Sequence, residues 1–334
     1  MKTATLSKLF IITALTGVFF SCKKSNSTSS STTESTTQVS TSSDDVSRAS
    51  TESDAAFDDV NTAMTTETSV TGAALAPALR NGIQTLGGPG NNDTISTPGI
   101  CDAVVTVDTV DNPRTITITY NGTNCSMDRT RTGSVVISIA QGLVWRNAGA
   151  VVTVTFNNLA ITRLIDNKTI TLNGTHTYTN VSGGSLLSLP NNPGASIIHT
   201  ITSNNMAITF DDGSKATWNV ARQRTYTYSD GYVISQTGTH TSNNLTNVSM
   251  WGTDRYGNAF TVDIVQPYVV ALSCSWLLTG GEVQLALPDV TATVTYGLNI
   301  NGVATGCPVS GFYYYQVSAD FTASGKVYTV ILPY

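Results

Sequence analysis

Charged side chains are what this sequence has least of. Lysine and arginine number 17 and aspartate and glutamate 22 among 334 residues, 12% of the chain, where about a quarter is ordinary for a soluble domain. A strongly basic face, the electrostatic footprint of nucleic-acid binding, is missing, so no nucleic-acid partner is expected. Glu282 is the one glutamate after residue 100, which leaves a glycosidase-type carboxylate pair to depend on aspartates. Asp211-Asp212 is the obvious pair, but strand neighbours point to opposite faces and Asp212-Gly213 is a hairpin-turn dipeptide. The G-x-S-x-G elbow, H-E-x-x-H and Gly-rich phosphate-loop patterns do not occur. C-x-x-C is absent too, which argues against a zinc site. The expectation is a protein with no catalytic residues, no metal and no cofactor.

A long apolar run is also lacking. Leu9–Phe20 is twelve residues, short of the roughly 20 a spanning helix needs. Behind Lys2 and Lys8 it fits the core of a secretory signal covering Met1–Ser21. The run ends Phe19-Phe20-Ser21-Cys22, which resembles the lipobox of bacterial lipoproteins in the loosened form of the Bacteroidota. That resemblance implies that Cys22 is lipidated through its thiol and becomes the mature N-terminus, anchoring the chain to a membrane. By the same resemblance, Lys23 in place of an aspartate points to the outer membrane. No acidic cluster follows, so the periplasmic or surface face stays open.

Ser and Thr dominate Ser25–Ser53, so residues 22–53 are expected to be a lipidated, disordered tether that cannot offset its ordering entropy. Asp54–Met64 places Phe57, Val60, Ala63 and Met64 at helical spacing behind a candidate N-cap, Asp54, predicting one short helix. Leu86–Pro98 is Gly/Pro/Asn punctuation, so residues 54–99 are assigned to that helix and a loop. Residues 22–100 carry four basic and nine acidic side chains, whereas residues 101–334 carry eleven and thirteen. The latter stretch is nearly neutral, which leaves little long-range steering of a charged partner.

From residue 100 to 334 the chain alternates in period two, as in Ile116/Ile118/Tyr120 and Val283/Leu285/Leu287. Asp212-Gly213, Asp230-Gly231 and similar turn signals separate the runs. About fourteen strands and an all-β domain follow, built as a large antiparallel sandwich or a curved meander, with a candidate division near residues 183–195. Two repeats sharpen this. Thr115–Tyr120, followed by Cys125, recurs as Thr291–Tyr296, followed by Cys307, and each copy is preceded by a cysteine, Cys101 or Cys274. Among the three pairings that four cysteines allow, the repeat selects Cys101–Cys125 and Cys274–Cys307, in keeping with an oxidising compartment. The second repeat matches Asp166–Thr177 to Asp230–Thr241 and makes His176 and His240 equivalent. Both are expected on semi-buried faces, since a third metal ligand such as His199 is not assured.

Tyr226, Tyr228 and Tyr232 cluster about one hairpin turn and are candidates for stacking on sugar rings. Arg222 and Arg224 share the Tyr226/Tyr228 face. Asp93-Thr94-Ile95 and Asp108-Thr109-Val110 resemble the Asp-Thr-aliphatic O-glycosylation motif of Bacteroidota envelopes, with Thr94, in a predicted loop, the better acceptor. Residues 54–334, with their paired T-x-T-[IV]-T-Y…Cys motifs, look like a group of uncharacterised all-β lipoproteins of the Bacteroidota. The expected function is a non-enzymatic lipoprotein anchored in the outer membrane, binding or scaffolding a polysaccharide or an envelope protein. The alternative is a periplasmic lipid or lipopolysaccharide carrier on a curved sheet. That reading needs an apolar concave face, and the Ala221/Gln223/Thr225/Thr227 row is mostly polar.

Overall fold

The computed structural model describes residues 35–66, 85–86, 93–95, 100–229, 231–271, 274, 277–307 and 313–333. The signal segment Met1–Ser21, Cys22, Asp230 and most of the Leu86–Pro98 loop lie outside the described residues.

The alternating runs become strands in one antiparallel meander. β1 (Thr85–Leu86), β2 (Asp93–Ile95), β3 (Ala103–Asp108), β4 (Arg114–Thr123), β5 (Arg129–Ile139), β6 (Ala150–Arg163), β7 (Lys168–Asn180), β8 (Ile197–Phe210) and β9 (Lys215–Tyr228) each pair with the next. β10 (Tyr232–Gly238) then pairs with residues 222–228 of β9. β11 (His240–Ser242) turns back into β12 (Leu245–Thr253), which takes residues 217–220 of the same β9 edge. β10 and β12 thus share one place in the sheet, and β13 (Ala259–Ala271) pairs with both. β14 (Leu277–Leu287), β15 (Val290–Leu298), β16 (Tyr314–Phe321) and β17 (Lys326–Pro333) complete the meander. Antiparallel β architecture is therefore as expected; apart from β1, β2 and β11, each two or three residues long, fourteen strands are described. Residues 183–195 do not divide the chain: a 3-10 turn, Leu186–Asn191, bridges β7 and β8, and the described residues belong to one unit, Glu34–Tyr334.

Alternation leaves the sheet one buried face. Val152, Val154 and Phe156 of β6 are at most 1% exposed, while Thr153 between them faces outward in register with Thr177 and Thr202. Outward rows of Thr and Ser explain how the molecule does without charge. A sheet with a single apolar face must curl to cover it, and here it curls around a helix.

That helix, α1, spans Thr36–Thr66, 31 residues or about 46 Å. It corrects the expected tether and short helix: residues 36–53 belong to α1, and Asp54 is mid-helix rather than an N-cap. A capping box starts it. The Ser35 Oγ accepts from the Gln38 amide, and the Gln38 Oε1 accepts from the Ser35 amide, satisfying two donors reciprocally. Val39, Ser43, Val46, Phe57, Val60, Ala63 and Met64 are at most 3% exposed, so α1 is buried nearly all round. Its serines and alanines are small enough for strands to approach on every side.

The two disulfides join Cys101 to Cys125 and Cys274 to Cys307, the expected pairing, with Cα–Cα distances of 5.1 and 4.9 Å.

Candidate functional site

Polar chemistry is concentrated at the seam between α1 and the inner face of the sheet. Six acidic side chains of α1 meet six arginines from the strands and turns. Asp44 pairs with Arg163 at 3.0 Å, Asp45 with Arg255 at 2.6 Å, Glu52 with Arg129 at 2.6 Å and Asp59 with Arg131 at 2.7 Å. Asp54 lies between Arg222 and Arg224 at 3.0 and 2.9 Å, and Asp58 bonds Arg224 at 2.9 Å. The six arginine side chains are 1–11% exposed. This explains the uneven charge of the sequence, because the acidic N-terminal segment is the counterion of the arginines further along.

Burial shifts these groups in characteristic directions. Desolvation raises the Asp45 carboxyl to about 6 against the lowering pull of Arg255, and raises Asp58 to about 7 against Arg224. The interior histidines move the other way. His176 and His199, each 1% exposed, fall to about 3, chiefly because burial disfavours the imidazolium and secondarily because Arg222 or Arg224 repels it. His176 Nδ1 contacts the Tyr178 hydroxyl at 3.1 Å. His199 packs against Phe57, Trp145 and Tyr226. Among the described residues no group of three or more His, Cys, Asp or Glu is arranged to hold a metal ion.

The repeats acquire a physical meaning. The two motif tyrosines both reach α1: Tyr120 donates to Asp59 at 2.9 Å, and the Tyr296 hydroxyl contacts the Ser47 Oγ at 2.7 Å. The histidine repeat diverges instead. His176 faces the interior of long β7, whereas His240 sits on β11 and stacks on Trp251 at 4.0 Å.

The candidate sugar platform is split. Tyr226 is 1% exposed and accepts from the Asn61 amide of α1, so it belongs to the interior seam; this corrects its assignment to a surface cluster. Arg222 and Arg224 share that fate and are counterions of the helix. Tyr228, 39% exposed, and half-buried Tyr232 remain at the rim as an edge-to-face pair with centroids 5.2 Å apart, and the Tyr232 hydroxyl donates to the Leu186 carbonyl. Leu187, 38% exposed, lies beside that contact in sequence. Thr94 is placed in β2 opposite Thr106, not in a loop. Thr109 lies in an exposed bend in which the Asp108 carboxylate accepts from the Val110 and Asp111 amides. Asp211-Asp212 is turn chemistry as expected, with the Asp212 Oδ1 accepting from the Ser214 amide.

The two ends of the molecule differ. Turns 164–167, 211–214 and 254–258 gather about the first turns of α1, through Asp44 to Arg163 and Lys168, Asp45 to Arg255, Arg255 to Asp212, and Ser42 to Asp254. Tyr228 and Tyr232 lie past Tyr226, which meets α1 at Asn61, sixteen residues or about 24 Å along the helix from Asp45.

Compared with known proteins, the chain matches no family model, no curated protein and no solved structure.

Proposed function

We propose that this chain is a non-enzymatic lipoprotein, held in the outer membrane by Cys22, that binds a polysaccharide or an envelope protein through the rim carrying Tyr228 and Tyr232. The observation that supports this reading is the division of labour between inside and outside. The interior is filled by the chain's own helix, with its acidic groups held by arginines. The exposed aromatic pair lies at the end away from the start of α1. Twelve residues lie between Cys22 and Ser35, a span of at most about 45 Å, which favours the end at which α1 begins as the membrane-side end. The aromatic rim then faces away from the lipid, where a ligand has access. A carrier of lipid or lipopolysaccharide needs a lumen, and α1 occupies it.

Two measurements test the reading. Labelling with an alkyne fatty acid should mark the chain and be lost in Cys22→Ala; labelling that persists sinks the anchor. Purified protein on a glycan array should bind at least one polysaccharide class, with Tyr228→Ala weakening it about tenfold, the cost of one stacking contact of about 1.4 kcal/mol. Binding unaffected by Tyr228→Ala would exclude this rim.

A further inference from the structure

The outward face of the sheet carries a pattern that the interior does not need. Asn157-Asn158-Leu159-Ala160-Ile161-Thr162 of β6 recurs as Asn204-Asn205-Met206-Ala207-Ile208-Thr209 of β8. At both places the strand bulges. The second asparagine enters the left-handed region, with φ 48° at Asn158 and 54° at Asn205, and the pairing register shifts beside it. Each bulge is held from the next strand: the Asn158 amide donates to the Asn173 Oδ1 at 2.8 Å, and the Asn205 amide to the Asn219 Oδ1 at 3.0 Å. A bulge accounts for a left-handed asparagine, but not for the first member of each pair. Asn157 and Asn204 are exposed, and among the described residues their side-chain amides have no hydrogen-bond partner.

The two bulges lie two strands apart, about 9.6 Å, and lead to an aromatic pair. Asn219 stands opposite Trp251, and its Nδ2 donates to the Trp251 carbonyl at 3.3 Å. Trp251, half-buried, stacks on half-buried His240. From β6 to β12 this track crosses four strand spacings, about 19 Å. Apart from Lys168 and Lys215 at their first positions, β6–β9 show no charged side chain outward, and threonine and asparagine predominate. An anionic chain would find no cation along the track. Uncharged amides and hydroxyls at a regular step, ending in a flat ring, suit a chain of sugars, whose hydroxyls donate and accept and whose ring faces are apolar. We propose that this face binds a neutral polysaccharide lying across β6–β12, with Asn157 and Asn204 bonding its hydroxyls and the Trp251–His240 stack supporting one sugar ring. The track is separate from the Tyr228 rim, since Asn219 lies nine residues back along β9, about 30 Å, and it does not depend on that rim.

Affinity electrophoresis of the purified full chain carrying Tyr228→Ala tests this with the rim removed from the measurement. The gels contain hydroxyethyl cellulose, galactomannan, mixed-linkage glucan or polygalacturonate. At least one of the three neutral polymers should retard the protein, and polygalacturonate should not. Trp251→Ala, and separately Asn157→Ala combined with Asn204→Ala, should each raise the dissociation constant about tenfold. The two asparagines are exposed and unbonded, so the Tm of their double variant should match its parent, which separates lost binding from lost folding. The proposal is overturned if no neutral polymer retards the protein, or if polygalacturonate does. It is equally overturned if the asparagine double variant is retarded as strongly as its parent.

Discussion

At the scale of single residues, the interior depends on pairing rather than on apolarity. Arg131 shows the dependence most sharply. Its guanidinium bonds both oxygens of Asp102, each at 2.6 Å, and Asp59 at 2.7 Å. Arg131→Met would leave the buried Asp102 and Asp59 carboxylates short of a counterion, and stability measured by urea unfolding should drop by about 3–5 kcal/mol. Adding Asp102→Asn should recover part of that loss; no recovery would mean the arginine acts through packing alone. The buried histidines set a pH dependence of definite sign. In the folded chain His176 and His199 titrate near 3, below the ordinary 6.5. Between these values the unfolded chain takes a proton that the folded chain refuses. Stability therefore falls with pH over that window, by about 1.4 kcal/mol per unit for each histidine. Asp45 and Asp58, raised to about 6 and 7, act oppositely, since the folded chain binds their protons first. His199→Phe isolates one contribution: between pH 6 and 4 its stability should decline less steeply than wild type by about 1.4 kcal/mol per unit. Parallel curves would refute the buried neutral imidazole.

At the scale of elements, α1 is the one whose sequence and structure diverge most. Two serines one turn apart on it should behave oppositely. Ser43 is fully buried and its hydroxyl has no partner, so Ser43→Ala should raise stability by about 0.5–1 kcal/mol, through better helix propensity and the loss of an unpaired polar group. Ser47 contacts Tyr296, so Ser47→Ala should lower stability by about 1–2 kcal/mol; equal effects from the two would sink the distinction. The strands were legible because period-two alternation is a local signal, and so were the cysteine pairs, because each belongs to a repeat. The start of α1 was legible in principle, since Ser35-Thr36-Thr37-Gln38 is a capping-box pattern. Its interior was not. A segment rich in Ser, Thr and Asp has few apolar groups to bury, and its partners are arginines more than 70 residues away, as Glu52–Arg129 and Asp54–Arg222 show. Tyr226 misled for a related reason: a tyrosine on a strand has the same local pattern whether its hydroxyl meets water or Asn61.

At the scale of the whole molecule, a sheet with one apolar face and a helix that mixes apolar groups such as Phe57, Val60 and Met64 with buried carboxylates complete each other, and neither half closes its charge alone. Cutting the crosslinks and removing the helix should therefore have unequal consequences. Each disulfide constrains the unfolded chain by about 3 kcal/mol, which for a domain of this size corresponds to a Tm decrease of roughly 5 °C on reducing either bond. The fold itself should survive, because the paired interior is untouched. A chain beginning at Ile100 keeps both disulfides but loses every helix carboxylate. Arg222 and Arg224 would then have no carboxylate partner, Arg129, Arg163 and Arg255 would keep only Asp128, Asp166 and Asp212, and the apolar inner face would lie open. Several kcal/mol for each of those two unpartnered charges, added to the exposed apolar face, is comparable to the 5–15 kcal/mol by which a whole domain is ordinarily stable. The truncated chain should bind a hydrophobic dye and unfold without a cooperative transition, whereas the reduced full-length chain should retain one. A sharp, native-like transition in the truncated chain would show that the shell stands without its helix, and that α1 is an occupant rather than the core.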